Sequence, residues 1–64
     1  MPHMTIKESV TAEKLLKSPA GETIRTFCED VLVLGIVGDD WFHVMLNNEE
    51  TGYVKQADFW PGNG

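Results

Sequence analysis

The sequence predicts a small all-β domain whose short strands close into a barrel. Its 64 residues suffice for one domain, and the longest apolar run has only seven residues, Val31 to Val37. Residues that favour turns separate the apolar runs at short intervals, as expected for several short strands. A barrel is expected because closure removes the exposed edges that a lone sheet would present.

The N-terminal third predicts an extended strand near residues 6–12, followed by an irregular loop from 13 to 23. A helix is the competing interpretation, because Thr5 and Glu8 fit a capping box. Val10 and the threonine after it favour a strand, and a lone helix of this length would be marginal without packing. Whether residues 5–17 form a strand or a helix therefore stays open at this point.

The domain is expected to span residues 6–60. Residues 1–5 are expected to be a disordered N-terminus or an expression remnant, because a second methionine at position 4 resembles a native start. Residues 61–64 are expected to form a flexible tail, rich in glycine.

The middle of the chain contains the clearest strands. The continuous apolar run 31–37 predicts a strand that is covered on both faces. The segment 41–46 predicts a second strand, in which Phe42, Val44 and Leu46 point to one face and Trp41, His43 and Met45 to the other.

A hairpin is expected where the segment 47–52 turns the chain into Tyr53 and Val54. Gly52 is expected either to adopt a positive φ or to lie where a side chain would collide with a neighbour. Asp30 is the expected left-handed residue before the central strand. The expected core consists of Val44, Val54, Phe59, alternate members of Val31–Val37, and Ile24.

Composition excludes several classes of protein. Ten acidic residues against five basic ones give a net charge of −5, which disfavours binding to a nucleic-acid backbone. The longest apolar run is far below the ~18 residues of a membrane span, so membrane insertion is not expected. Cys28 is the single cysteine, so it cannot form an intrachain disulfide or a Cys-rich zinc site, and it is expected in the core or half-buried.

Acidic pairs recur near the predicted turns, at positions 29–30, 39–40 and 49–50. The simpler interpretation is that solvated loop tips collect charge. The alternative is that these tips converge on one acidic face.

Three sets of residues, taken in order, resemble a bacterial SH3-like domain. Val10-Thr11-Ala12 with Leu15-Leu16-Lys17-Ser18-Pro19 resembles its opening "V-T-A … L-N-V-R-S-G-P". The segment 38–44 resembles "G-x-W-[YF]-x-V", and the segment 51–54 resembles "x-G-[WY]-V". The resemblance implies a five-stranded SH3-like barrel. Lys55 and Asp58 stand where eukaryotic SH3 domains have a proline and a tyrosine, so a PxxP peptide is not expected.

The resemblance also implies a ligand surface centred on Trp41, where a rigid aromatic ring stacks on a peptide or sugar. The structural alternatives are that Trp41, Tyr53 and Trp60 cap the barrel and that His43 is an ordinary surface residue. The candidate ligand-binding residues are Trp41, Asp39, Asp40, Tyr53, His43 and Trp60.

No catalytic constellation is present in the sequence, so an enzyme is not expected. It contains no G-x-S-x-G, no glycine-rich phosphate loop and no H-E-x-x-H. A calcium site in the acidic loops has no EF-hand spacing to support it. No catalytic residue, metal or cofactor is therefore expected.

Two functions from different classes are expected. The resemblance implies a non-catalytic module that binds a peptide, a protein or a cell-wall peptide, in the cell envelope or secreted if the chain is an excised domain. The alternative is an intracellular interaction or regulatory module, cytoplasmic if the chain is full length, whose acidic face binds a basic protein segment. The sequence gives neither the ligand nor the parent protein, and it leaves the oligomeric state open.

Overall fold

A computed structural model describes residues 2–61 of the chain. The fold is all-β, as predicted. Its strands are β1 (His3–Ile6), β2 (Glu13–Leu16), β3 (Thr23–Phe27), β4 (Val31–Val37), β5 (Trp41–Met45), β6 (Thr51–Lys55) and β7 (Phe59–Pro61). One turn of 3₁₀-helix, Gln56–Asp58, joins β6 to β7 and is called the 3₁₀ turn below.

All strand pairs are antiparallel and belong to one sheet, in the order β3-β2-β6-β5-β4-β1-β7. The predicted five-stranded closed barrel is therefore wrong in two respects. The sheet has seven strands, and its edge strands β3 and β7 do not pair with each other within the described residues. The additional strands come from the two stretches that were expected to be loop or remnant.

The sheet is curved around a single core. The molecule measures 29 × 24 × 23 Å, whereas a flat single sheet would be only about 10 Å thick. Every strand except β1 contributes a buried residue to one cluster, and Met4 and Ile6 of β1 pack against it. The cluster contains Leu15, Phe27, Val31, Val33, Phe42, Val44, Leu46, Val54 and Phe59.

The N-terminal third forms two strands and no helix. The strand expected near residues 6–12 lies earlier, at 3–6, and the loop expected at 13–23 contains β2. β2 and β3 form a hairpin because their apolar residues reach the core only when the strands pair. Glu8 does not cap a helix, since its carboxylate accepts a hydrogen bond from the indole Nε1 of Trp60 at 3.1 Å.

The domain also begins before and ends after the expected limits of 6–60. Residues 3–5, expected to be disordered or a remnant, belong to β1, where Met4 pairs with Pro61 and Thr5 with Trp60. Residue 61, expected in the tail, therefore lies in β7. The remaining predicted ends, residue 1 and residues 62–64, lie outside the described residues.

Most of the predicted core is confirmed. Val44 and Val54 are fully buried, Phe59 is 5% exposed, and the alternation of β5 is as expected. Ile24 is 39% exposed because β3 is an edge strand, so its assignment to the core is wrong. The far end of β4 is also exposed rather than covered on both faces, as the 70% exposure of Ile36 shows.

Two smaller expectations are also wrong. Cys28 is exposed rather than in the core or half-buried. Asp30 does not have a positive φ; among non-glycine residues Ala20 and Glu49 do, at 58° and 69°. The loop between β5 and β6 explains Glu49, because a three-residue hairpin loop usually ends on a left-handed residue. Leu46 and Glu50 close this loop, with the Leu46 N–H donating to the Glu50 carbonyl at 2.8 Å.

Replacing Glu49 with glycine is expected to raise the free energy of unfolding by about 0.5–1 kcal/mol, because glycine adopts the left-handed conformation without strain. Urea denaturation followed by tryptophan fluorescence measures the change. Glu49→Gln is the matched control, because it removes the same charge and keeps the side chain that strains the backbone. Equal stabilisation in both variants would show that charge, not backbone strain, is responsible.

Candidate functional site

Trp41 lines two cavities. The first, called the hairpin cavity, has a volume of about 230 Å³ and is lined by Val10, Ala12, Glu13, Lys14, Leu16, Trp41, Lys55 and Asp58. The second, called the loop cavity, has a volume of about 320 Å³ and is lined by Asp39, Asp40, Trp41, Lys55 and Ala57. Because Trp41 and Lys55 line both cavities, the two are adjacent, and together they are called the Trp41 groove below.

The strand register explains why Trp41 faces outwards. Phe42 points into the core and is 8% exposed, so the preceding residue lies on the opposite face of β5. Trp41 pairs with Val37 on one side and with Lys55 on the other, at the end of the sheet. The tight turn before it includes Gly38 with a φ of 61°. The ring is therefore half-buried at the rim of the sheet.

Gln56 fastens the 3₁₀ turn to the loop that precedes Trp41. Its backbone N–H donates to the carbonyl of Asp40 at 2.9 Å. Its side-chain Nε2 donates to the carbonyl of Trp41 at 3.0 Å and to that of Gly38 at 3.3 Å. The two walls of the loop cavity are therefore joined by the hydrogen bonds of one residue.

Glu13 is the buried ionisable residue of the groove. It is 4% exposed, on the inward side of β2 that it shares with Leu15. Burial, and then the hydrogen bond and the charge of Asp58, raise the pKa of Glu13 to about 8, although the backbone and charge of Lys55 oppose the change. At neutral pH, Glu13 therefore carries a proton beside the Asp58 carboxyl group.

The structure brings together three of the six candidate ligand-binding residues: Trp41, Asp39 and Asp40 all line the loop cavity. Tyr53 and His43 form a separate pair on the outer face of β5 and β6. Their rings stack with centroids 4.7 Å apart, and neither residue lines the cavities described above.

Trp60 lies on the edge strand β7, outside both cavities. Besides its hydrogen bond to Glu8, its ring lies under the Lys7 ammonium, with 4.3 Å between Nζ and the ring centroid. Trp60 is 47% exposed, so it covers one flank of β1 without taking part in the Trp41 groove.

Sequence reasoning missed one wall of the groove. Val10, Ala12, Glu13 and Leu16 were not identified as site residues, because the stretch was interpreted as strand and loop with different limits. The alternation of side chains along a strand could have identified Glu13, because a strand in which Leu15 faces the core also turns Glu13 towards it. The position of buried Glu13 next to Asp58 cannot be predicted from the sequence unless the pairing of β2 is known.

The three acidic pairs do not converge on one face. Glu29 accepts a hydrogen bond from the backbone N–H of Asn47 at 2.8 Å, which places the pairs 29–30 and 49–50 at one end of β5. The pair 39–40 lies at the other end, a strand length of about 17 Å away. Arg25 pairs with Glu50 at 2.7 Å, and that hydrogen bond lowers the pKa of the Glu50 carboxyl.

No family model, curated protein or solved structure matches the chain. Within the described residues, the structure contains no helix with the length and apolar character needed to cross a membrane. In residues 2–61, no three His, Cys, Asp or Glu side chains are grouped so that they could hold a metal ion.

Proposed function

We propose that this chain is a non-catalytic binding module that holds an extended peptide in the Trp41 groove. The observation that supports this most directly is the position of Trp41, a half-buried residue that lines two cavities. A tryptophan ring offers a large apolar face at little cost in conformational entropy, which suits it as an anchor for a ligand.

The arrangement of the resembling segments supports a relationship to bacterial SH3-like domains. The segment 38–44 and the segment 51–54 are neighbours in the β5–β6 hairpin, as their spacing predicts. Phe59 adds the last strand's side chain to the core. Within this relationship the ligand is a cell-wall peptide, or a protein of the cell envelope.

The charges of the groove favour a ligand with a cationic group. Asp39 and Asp40 are exposed beside the ring of Trp41, and a cation over that ring would gain a further attraction. Exposed ion pairs contribute only about 0.2–1 kcal/mol each, so these carboxylates orient the ligand while the ring anchors it. The same acidic rim favours the second candidate, an interaction module that binds a basic protein segment.

Replacing Trp41 with alanine is expected to weaken peptide binding by about tenfold or more, equivalent to about 1.4 kcal/mol. The measurement is a ¹⁵N-HSQC titration with soluble muropeptides and, separately, with a lysine- and arginine-rich peptide. Shifts should cluster on the Trp41 indole N–H, Asp39, Asp40 and Lys55. The ligand that produces them decides between the two candidates.

Trp60→Ala is the matched control, because it removes an exposed tryptophan outside the groove. Its affinity should equal that of the wild type. Loss of binding in this variant with retention in Trp41→Ala would move the site to β7. Absence of shifts with both ligands at millimolar concentration would overturn the proposed function.

A further inference from the structure

Glu13 and Asp58 join two elements that are distant in the sequence, at the side wall of the Trp41 groove. Glu13 lies at the start of β2, and Asp58 is the last residue of the 3₁₀ turn. Both side chains line the hairpin cavity, and Glu13 is 4% exposed. A hydrogen bond joins the Glu13 and Asp58 side chains, and two carboxyl groups at that separation cannot both be ionised without strong repulsion.

No positively charged side chain makes an ion pair with Glu13 or Asp58 among the described residues. Lys14 and Lys55 line the same cavity, yet no ion pair within 4.0 Å joins either lysine to Glu13 or Asp58 among the described residues. The acidic groups that line the neighbouring loop cavity, Asp39 and Asp40, add negative charge. Loss of the proton would leave two adjacent carboxylates without an ammonium partner in contact.

The 3₁₀ turn links this pair to Trp41. Two residues before Asp58, Gln56 makes the hydrogen bonds to the carbonyls of Asp40, Trp41 and Gly38 that fasten the turn to the loop. The backbone carbonyl of Asp58 accepts a further hydrogen bond from the N–H of Lys7 at 2.9 Å. A displacement of the turn therefore reaches both walls of the loop cavity.

We propose that Glu13 and Asp58 form a proton-dependent clasp that holds β2 against the 3₁₀ turn and sets the shape of the Trp41 groove. In the clasped state, the O–H of one carboxyl group donates to the other. When the proton leaves to solvent, the two carboxylates repel, the contact opens, and the turn shifts the loop that precedes Trp41. The consequence for ligand binding rests on the proposed function, whereas the clasp itself does not.

A pH titration of the whole chain without ligand tests the clasp. Carbon-detected NMR follows the Glu13 side-chain carboxyl, while ¹⁵N-HSQC follows the Trp41 indole N–H and the Gln56 side-chain amide. The Glu13 midpoint is expected about two pH units or more above the ordinary glutamate value of 4.5. The signals of Trp41 and Gln56 should move with the Glu13 midpoint.

Two variants establish the cause. Glu13→Gln should abolish the movement of the Trp41 signal above neutral pH, and Asp58→Asn should lower the Glu13 midpoint by removing the partner's charge. Glu22→Gln is the control: Glu22 is an exposed acid paired with Lys17, and the Trp41 titration should remain unchanged. If Glu13→Gln does not fold, the midpoint in Asp58→Asn still provides the test.

The proposal is overturned if Glu13 titrates together with the exposed carboxyl groups, or if Trp41 does not respond to the Glu13 titration. Where a peptide binds the groove, its affinity should differ at least threefold below and above the Glu13 midpoint, and equal affinities would refute control of the groove. Failure of every peptide to bind would refute the proposed function and leave the ligand-free titration as the test of the clasp.

Discussion

Replacing Gly52 with valine is expected to leave little folded protein, with a loss of about 3 kcal/mol or more in the free energy of unfolding. A Cβ atom at this position would lie 2.7 Å from Cγ and Cδ1 of Leu15 and 2.8 Å from the carbonyl oxygen of Leu16. Leu15 is fully buried, so its side chain has no free space to enter. Gly52 does not have a positive φ, which means that close approach of β2 to β6 is what requires glycine here.

The matched control is Gly35→Val, the same substitution in β4. A Cβ atom on Gly35 would meet no atom within 4 Å, and its backbone does not have a positive φ. Valine also favours strands, so this variant should be as stable as the wild type or slightly more stable. Urea denaturation followed by far-UV circular dichroism measures both. Equal stability of the two variants would show that the approach of β2 to Gly52 is looser than the structure indicates.

The strands near the centre of the sheet could be predicted because each shows its own pattern. β5 alternates strictly, so Val44 could be assigned to the core, Phe42 to the same face and Trp41 to the opposite face. β2 has no such pattern, since its buried residues include the acid Glu13 and the adjacent pair Leu15 and Leu16 on either side of a register shift. β1 has no buried residue, since its residues alternate between exposed and half-buried, and its pairing with β4 and β7 depends on contacts distant in the sequence.

Part of the candidate site could also be predicted from the sequence, and part could not. Trp41 and the acidic turn before it lie together in the sequence, so their shared cavity follows from local reasoning. Glu13 and Asp58 meet only because β2 pairs antiparallel with β6, which brings the start of β2 next to the 3₁₀ turn that follows β6. A long-range juxtaposition of two acids is unfavourable by itself, so no sequence pattern indicates it.

Raising the pH from about 5 to about 9 is expected to destabilise the wild type by about 2 kcal/mol or more. The folded pKa of Glu13 is about 8, above the ordinary value of 4.5 that applies to the unfolded chain. The folded state therefore binds more protons than the unfolded state within this interval, and stability is lost as the pH rises through 8. Each unit of difference between the folded and unfolded pKa of Glu13 corresponds to about 1.4 kcal/mol of stability. Opening of the carboxyl pair at high pH relieves part of the repulsion, so the expected loss is smaller than the full difference.

Glu13→Gln isolates this effect, because an amide does not titrate and its N–H still donates a hydrogen bond to Asp58. The variant should have nearly constant stability between about pH 5 and pH 9, and it should exceed the wild type at the upper limit. Urea denaturation at each pH measures both proteins. Glu8 and Glu50 have lowered pKa values, so their contributions are lost below the ordinary range and do not overlap with this window. If the free energies of unfolding of the wild type and Glu13→Gln changed with pH in the same way, Glu13 would already be ionised in the folded state at pH 5, and its pKa would not be raised.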